Sequence, residues 1–313
     1  METIQKSFRA MGTINTITVF RKADFAGLEA AARRVLELDD RLSVFKPDSD
    51  ISRINRMAGK GFVKISPDTL GLLKTAKAFS EMSGGAFSVT TRPLTELWGV
   101  GTDHSAVPGE EILERARRLV DDRDLVFDEP GGRAMLRREG QAIDLGGIAK
   151  GFAADEARRV LAENGVEDAI INFGGTVIVT GRPRDVGIQH PGKSRGISMG
   201  HLRLQNCAIV TSGSYERFSE LDSQRRHHIM DPATGEPSAS GLCSVTLTGS
   251  SATALDAIST AIFVMGIEKG ARLASENDAE AVFISDGMDV LCSPSLRERF
   301  VMYPNEANKE LSS

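Results

Sequence analysis

The sequence is poor in the residues that build disulfide frameworks, metal-binding knuckles and membrane spans. Only three cysteines occur among its 313 residues, and Cys207, Cys243 and Cys292 stand too far apart for a CxxC motif or a Cys/His ligand set. Scattered cysteines in odd number are typical of a reducing compartment, so we interpret these three as core residues. No stretch approaches the roughly 18 consecutive apolar residues of a transmembrane helix.

Positive charge is also scarce. The formal net charge is -5 at pH 7, whereas broad binding to nucleic acid or to anionic membranes normally needs a basic surface. We therefore expect no nucleic-acid partner, and any anion-binding site must be local. The first residues also lack the apolar core and small-residue cleavage site of an export signal, so the expected localisation is cytoplasmic.

Helical and strand-like patterns are mixed along the chain without a regular βαβα rhythm or an internal repeat. Capped or amphipathic segments predict helices at 24–38, 66–84, 108–122, 149–164, 253–265 and 267–276. Strand-like runs fall at 14–20, 134–145, 167–249 and 279–293, and residues 46–55 are expected to form a polar loop. The patterns predict an α+β fold in a single domain that spans residues 1–313.

A lysine at the start of a predicted helix, just after two glycines, is the first unusual feature. In "AIDLGGIAKGFAADEA" (142–157), Lys150 shares one helical face with apolar residues, so its ammonium should point inward or into a cleft. Gly146, Gly147 and the unpaired N–H groups of the first turn can approach an anion closely. The segment is interpreted as a phosphate cradle; the alternative is a glycine-rich turn whose lysine reaches solvent.

A second helix is apolar on every side but carries two polar residues on one face. No charge occurs from Ala257 to Ile267, yet Asp256 and Thr260 stand four residues apart. A buried carboxylate needs a partner. Thr253 and Asp256 together resemble a capping box. Alternatively, the carboxylate and the hydroxyl bind Mg²⁺, whose remaining ligands would be water and substrate phosphate.

Two adjacent histidines precede a predicted turn in "RRHHIMDPATGEP" (225–237). Because neighbouring strand residues face opposite sides, either His227 or His228 can face a given cleft, but not both. A histidine beside phosphates is suited to act as general base for a hydroxyl nucleophile. The alternative is a histidine that is simply exposed or hydrogen-bonded.

These signals occur in order with five further motifs. The full series is MGT (11–13), RLSVFKPDSDISRIN (41–55), AFSVTTRPLTELWG (86–99), IDLGGIAKGFAAD (143–155), NFGG (172–175), TSGSYERF (211–218), HIMDPATGEP (228–237) and TALDAIST (253–260). It resembles the FAD:protein FMN transferase family, also called the ApbE or flavin transferase family, from about residue 8 to near residue 300.

The resemblance implies a T-fold-like α+β architecture with a mixed, mainly antiparallel sheet and flanking helices. It also implies Mg²⁺-dependent transfer of the FMN moiety of FAD to a serine or threonine hydroxyl of a target protein that carries a flavinylation motif, with release of AMP. Competing functions are an Mg²⁺-dependent FAD pyrophosphatase, in which water replaces the protein hydroxyl, and a non-catalytic flavin-binding protein.

The same resemblance assigns roles to individual residues. His228 corresponds to the catalytic histidine, and Lys150 would hold the pyrophosphate. The metal ligands correspond to Asp256, Thr260 and the main-chain oxygen of Ala149. The implied contacts with flavin and pyrophosphate are Met11, Phe45, Asp144, Lys150, Gly174, Gly175, Thr211, Ser212 and Gly213.

Four positions depart from the family pattern. Phe45 stands where tyrosine or tryptophan is common, Thr176 where an acidic residue is common, Ser214 where aspartate is usual, and Arg92 where glycine is frequent. These positions border the implied flavin pocket and acceptor edge. The resemblance therefore predicts the chemistry more firmly than the choice of acceptor.

Overall fold

The computed structural model describes residues 3–304 and is built on an eight-stranded sheet. Each neighbouring pair of strands in it is antiparallel. In spatial order the strands are β1 (Ile4–Ala10), β2 (Thr13–Val19), β6 (Ala169–Phe173), β7 (Thr176–Thr180), β10 (Cys207–Gly213), β13 (Leu242–Gly249), β14 (Glu280–Ser285) and β15 (Val290–Cys292).

Three smaller antiparallel sheets accompany it. One contains β8 (Arg184–Gln189), β9 (Ser198–Leu204) and β16 (Phe300–Met302); another contains β3 (Val63–Lys64), β4 (Leu125–Asp128) and β5 (Arg133–Leu136). The third is the hairpin of β11 (Phe218–Leu221) and β12 (Gln224–His227).

The helices of the described chain are α1 (Phe25–Leu42), α2 (Asp50–Arg56), α3 (Pro67–Met82), α4 (Arg92–Trp98), α5 (Glu110–Arg117), α6 (Ala149–Glu163), α7 (Ala252–Met265) and α8 (Ile267–Glu276). The six predicted helices are confirmed, with α5 shorter than expected. Ser66 caps α3, since its hydroxyl accepts a 3.2 Å hydrogen bond from the N–H of Thr69.

Several details of the sequence prediction are wrong. The strand-like run 134–145 forms a strand only as far as Leu136. The expected polar loop contains α2, because Ser49 caps this helix and Ile51 and Ile54 bury its apolar side. Helix α4 was not predicted, since a seven-residue segment shows too little periodicity. Asp24 precedes α1 but does not cap it; its carboxylate instead accepts hydrogen bonds of 3.0 and 3.1 Å from Arg21.

The two faces of the large sheet are buried by different partners. On one face α1, α6 and α7 pack on residues such as Ile171 and Val210 and form the main core. On the other face a second core includes Ile209, together with Ile188 and Leu202 of the small β8–β9 sheet. The α+β prediction is confirmed.

A third apolar cluster lies apart from both cores. Leu94, Trp98 and Met230 form it, and Leu113 and Leu221 pack against it. We call these five residues the Trp98 cluster. None of the helices within residues 3–304 has the length and apolarity that crossing a membrane requires. The ends of the predicted 1–313 domain, residues 1–2 and 305–313, lie outside the described residues.

Candidate active site

Lys150 and Asp256 form an ion pair where the first turn of α6 meets α7. The ammonium Nζ lies 3.2 Å from Oδ1 of Asp256 and donates a hydrogen bond of 2.8 Å to the carbonyl oxygen of Gly146. The Asp256 side chain is 4% exposed and that of Lys150 is 25% exposed. Lys150 therefore points inward as its helical face predicts, and the alternative of a lysine that reaches solvent is wrong.

Asp256 stabilises the start of α6. Its Oδ2 accepts a 2.9 Å hydrogen bond from the backbone N–H of Gly151 in the first turn of that helix. The helix dipole also stabilises a negative charge at this end. A β-carbon on Gly151 would lie 2.2 Å from the carbonyl oxygen of Ala252. Glycine at this position is what lets α6 and α7 approach closely enough for the contact.

The start of α7 is capped by other residues. The hydroxyl of Ser251 accepts a hydrogen bond from the N–H of Ala254 (3.2 Å), and Asp155 of α6 accepts one from the N–H of Thr253 (2.9 Å). The capping-box explanation of Asp256 is therefore wrong. Sequence reasoning missed Asp155, because its partner Thr253 lies 98 residues away in the chain.

Hard oxygen donors lie beside this ion pair. Thr260 Oγ1 donates its hydrogen to the main-chain oxygen of Asp256 at 3.1 Å, which leaves its lone pairs able to bind a cation. A β-carbon on Gly147 would lie 3.1 Å from that hydroxyl and would fill the space next to it. Carboxylate, hydroxyl and the carbonyl of Ala149 at the start of α6 suit Mg²⁺.

The protein ligands alone do not complete such a site. Within residues 3–304, no group of three or more His, Cys, Asp or Glu side chains has the arrangement of a metal centre. A cation bound here would need water and substrate oxygens for its remaining positions, as Mg²⁺ normally does beside phosphates. The carboxylate, hydroxyl and main-chain carbonyl oxygens present are donor types that Mg²⁺ prefers, so they fit the cation as part of its ligand set.

His228 follows β12 directly and is half-buried. Its Nδ1 lies 3.1 Å from the carbonyl oxygen of Arg217, and its backbone N–H donates to the same oxygen at 3.2 Å. With the Nδ1 proton donated to that carbonyl, Nε2 carries no proton and can accept one. The backbone and the ring are thus held by one acceptor.

The surroundings of His228 favour its neutral form. Burial is the main cause that lowers the pKa of this imidazole from 6.5 to about 3, and the positive charge of Arg217 lowers it further. His227 and Lys150 act in the same direction, whereas the hydrogen bond to the Arg217 carbonyl opposes it. Lys150 is thus one of the cations that keep this imidazole neutral.

His227 has a different environment. It is buried, its Nε2 lies 2.9 Å from the carbonyl oxygen of Ser238, and its ring stands edge-on to Phe263 with centroids 5.3 Å apart. Burial also lowers the pKa of this imidazole. The two histidines contact different partners, as strand alternation predicts, and His227 serves packing.

Arg92 links two of the implied flavin-site residues. Its guanidinium carbon lies 5.1 Å from the ring centroid of Phe45, a side chain in a residue that is 74% exposed. One guanidinium nitrogen lies 3.3 Å from Oδ2 of Asp144, whose Oδ1 accepts a 2.8 Å hydrogen bond from the N–H of Gly146. Since Gly146 also accepts from Lys150, these contacts run continuously from the exposed ring to the ion pair.

The remaining predicted residues lie on the sheet. Met11 occupies the β1–β2 turn with a φ of 53°, and its N–H donates to Asp39 at 2.6 Å. Gly174 and Gly175 form the β6–β7 turn, which lies beside the first turn because a β-carbon on Gly174 would be 3.2 Å from Thr13 Oγ1. Two hairpin turns thus meet at one end of the sheet.

Residues 211–213 end β10. The N–H of Thr211 donates to the Gly175 carbonyl at 2.8 Å, while Ser212 Oγ lies 2.8 Å from Ser259 Oγ on α7, immediately before Thr260. Thr211 and Ser212 face opposite sides of the sheet, so their hydroxyls cannot both face the ion pair. Ser212 is the side chain on the α7 side, and Gly213 is buried behind it.

A profile of the ApbE family matches residues 11–283, which is most of the chain. The chain belongs to the ApbE family. Among curated relatives, an FAD:protein FMN transferase of Klebsiella pneumoniae is 35% identical over 87% of this chain and 87% of the relative. One from Treponema pallidum is 32% identical over 92% of this chain and 86% of the relative.

Solved structures of ApbE proteins share the fold. The ApbE protein of Thermotoga maritima superposes with a TM-score of 0.87 at 31% identity and covers 95% of this chain and 99% of its own. The flavin transferase ApbE of Vibrio cholerae gives a TM-score of 0.82 at 27% identity, with 95% and 99% covered. The mainly antiparallel architecture described above is thus that of ApbE structures.

Proposed function

We propose that this chain is an FAD:protein FMN transferase that uses Mg²⁺ to move the FMN moiety of FAD onto a serine or threonine hydroxyl of a target protein, with release of AMP. The observation that carries the proposal is one site that combines the Lys150–Asp256 ion pair, oxygen donors suited to Mg²⁺ and a neutral His228. Relatives named for this activity cover most of the chain.

Asp256, Thr260 and the main-chain oxygen of Ala149 would hold Mg²⁺. When bound, the cation would neutralise negative charge on the pyrophosphate oxygens as the phosphoryl group is transferred. Lys150 would bind the same pyrophosphate. Two of its three ammonium hydrogens satisfy Gly146 and Asp256, and the third can reach a phosphate oxygen.

His228 would act as the general base. The acceptor hydroxyl oxygen attacks the phosphorus of the FMN half, Nε2 of His228 takes the hydroxyl proton, and the bond from that phosphorus to the bridging oxygen breaks. AMP leaves with the bridging oxygen, and the proton on the imidazole passes to solvent. Since burial and nearby cations keep the pKa of His228 low, the ring is in the basic form at neutral pH.

The flavin would lie toward the exposed Phe45 ring, with its pyrophosphate toward Asp144 and Lys150. The contacts from Phe45 through Arg92 to Asp144 support this direction. Met11, Gly174, Gly175, Thr211, Ser212 and Gly213 would line the rest of the pocket at the hairpin turns and the end of β10. Phe45 can stack on a ring but offers no hydroxyl.

We further propose that the chain forms a single domain and works in a reducing compartment such as the cytoplasm. The three cysteines, none of them in a disulfide, support the second point. The acceptor would then be a cytoplasmic protein, or a membrane protein whose acceptor loop faces the cytoplasm.

The decisive experiment adds purified protein, FAD and Mg²⁺ to an extract of flavin-depleted cells. In-gel flavin fluorescence should reveal a labelled protein, and mass spectrometry of its peptides should find FMN on a serine or threonine. AMP should appear in equal amount. Free FMN and AMP without any labelled protein would instead identify an FAD pyrophosphatase, and intact FAD would identify a flavin-binding protein.

A further inference from the structure

The Trp98 cluster supports the segment that carries His228. Trp98 is 1% exposed and packs with Leu94 and Met230 in a cluster separate from both large cores. Met230 comes two residues after His228 and pairs with Pro237 in an isolated bridge. The chain leaving the histidine is thus anchored on the indole.

A hydrogen bond from Trp98 also holds the chain that follows His228. Trp98 Nε1 donates at 2.9 Å to the carbonyl oxygen of Gly235, in the turn that follows Met230. Since a buried indole N–H needs a partner, this bond fixes the position of the turn at the edge of the ring. Apolar packing alone would allow the turn to slide.

The chain that enters His228 is anchored on the same cluster. Leu221 of the β11–β12 hairpin packs against it, and the Arg226 guanidinium carbon lies 5.7 Å from the Trp98 ring centroid. Ser219 Oγ accepts a 2.9 Å hydrogen bond from the N–H of Gly101 and lies 2.7 Å from Ser105 Oγ. One face of the hairpin is therefore fastened to the loop after α4.

Helix α4 connects the Trp98 cluster to the part of the site that contains the ion pair. Trp98 is its last residue and Arg92 its first, and Arg92 contacts Asp144. Seven helical residues span about 10 Å at 1.5 Å per residue. A short rigid element thus joins the turn beside the ion pair to the segment beside the histidine.

We propose that Trp98 is a positioning residue that sets the place of the His228 imidazole relative to the Lys150–Asp256 ion pair. The inference rests on the proposed function, in which this imidazole takes the proton of the acceptor hydroxyl. Displacement of a catalytic group by about 1 Å can cost roughly 100-fold in rate. A substitution at Trp98 should therefore slow the chemical step and leave FAD binding intact.

The test uses Trp98→Phe, which keeps an aromatic ring but loses the Nε1–H bond to Gly235. A second variant, Ser219→Ala, loosens the hairpin from the other side with almost no change in core volume. The acceptor protein is the one labelled in the cell extract, and AMP release from FAD with Mg²⁺ is followed in parallel. For both variants kcat should fall about tenfold or more, while the KM for FAD stays within about twofold.

The pH profile supplies a readout that general loss of stability would not move. The cations Arg217 and Lys150 and the titratable His227 act on His228, and all three oppose its protonation. If the imidazole loosens and becomes hydrated, its pKa rises toward the ordinary value. The acid limb of the kcat profile should then move to higher pH in both variants.

Ile284→Ala is the matched control, because Ile284 is fully buried in the second core on the other face of the sheet. It should lower the melting temperature without changing kcat or the pH profile. The proposal is overturned if both variants keep the wild-type kcat and profile, or if they lose kcat and FAD affinity in the same proportion. If the wild type labels no protein, the proposed function fails. The kcat and pH profile of FAD cleavage, compared between the variants and the wild type, then support or overturn the positioning role.

Discussion

The two halves of the candidate site are built in different ways. The ion pair of Lys150 and Asp256 lies between two helices of the main core, where each partner also bonds to backbone of α6 or of the turn before it. His228 belongs to a peripheral segment held by a two-stranded hairpin and the five-residue Trp98 cluster. The ion pair is held within the main core, whereas His228, the proposed proton acceptor, is held by a much smaller set of contacts.

This difference has a physical reason. A buried charge must be fully paired, so residues proposed to bind a pyrophosphate and a cation are best placed where the fold is most constrained. A base that receives an outside protein's hydroxyl must instead lie where a second protein can reach it. Substrate binding and proton transfer should therefore be separable by mutation.

His228→Gln should have the largest effect on the reaction. Loss of a general base typically slows a reaction roughly 10²- to 10⁴-fold, whereas FAD affinity should stay within about twofold because the ion pair is untouched. FMN transfer and a flavin-fluorescence titration check the two quantities. His201→Gln, on β9, is the control. Loss of FAD binding in His228→Gln would show that the two halves are not separable.

Asp256→Asn should affect the other half. The amide oxygen can still accept from the Gly151 N–H, but the charge that pairs with Lys150 and would bind Mg²⁺ is lost. Transfer should fall roughly 10²- to 10³-fold, as for other losses of electrostatic stabilisation, and Mg²⁺ should no longer raise the melting temperature. The control is Asp289→Asn, at an exposed position. It should retain both the transfer activity and the rise in melting temperature with Mg²⁺. A variant with normal Mg²⁺ dependence would refute the metal assignment.

Gly151→Ala tests the close approach of α6 and α7. Its β-carbon would meet the Ala252 carbonyl oxygen at 2.2 Å, and overpacking of this kind costs about 1–3 kcal/mol of unfolding free energy. Gly71→Ala in α3 has open space around the new β-carbon and should stabilise by about 0.5–1 kcal/mol. Urea unfolding of both measures the contrast, and equal stabilities would contradict the packing described.

Acidification should act on the histidine segment first. Because the pKa values of His227 and His228 are lowered in the folded protein, the unfolded chain binds more protons below pH 6.5, and stability falls as pH decreases through that range. The melting temperature should drop by a few degrees between pH 7.5 and pH 5. His228→Gln should show a smaller drop. The same drop in both proteins would refute the assignment to His228.

Arg92→Gly should have the smallest effect. That effect should be on FAD binding and not on proton transfer. It removes the contact with Phe45 and the ion pair with Asp144, so the KM for FAD should rise a few-fold with kcat nearly unchanged. Glu81→Gln, an exposed carboxylate on α3, is the control. A fall in kcat instead would show that Arg92 acts on proton transfer, and the ion-pair and His228 parts of the site would then not be separable.

The sequence was informative where a single helix carries the signal. The wheel position of Lys150 and the polar Asp256 and Thr260 in an otherwise apolar helix predicted which side chains point inward, because helical periodicity is a local property. Capping residues such as Ser66 located helix ends for the same reason. Short elements were missed, since α2 and α4 contain too few residues to show a period.

The partners of these residues came from the tertiary structure alone. That Asp256 serves the start of α6, and Asp155 the start of α7, is an exchange between helices about a hundred residues apart in sequence. No local pattern distinguishes it from a capping box. Likewise, nothing near Trp98 in the sequence indicates Gly235 as its partner.

By itself, then, the sequence determined the fold class, the inward direction of Lys150 and the family resemblance, because these depend on composition, local periodicity and the order of motifs. The tertiary structure decided which carboxylate meets which helix, how burial and neighbouring cations keep His228 neutral, and what supports that ring. Those properties depend on contacts between residues far apart in the chain, and such contacts exist only once the chain has folded.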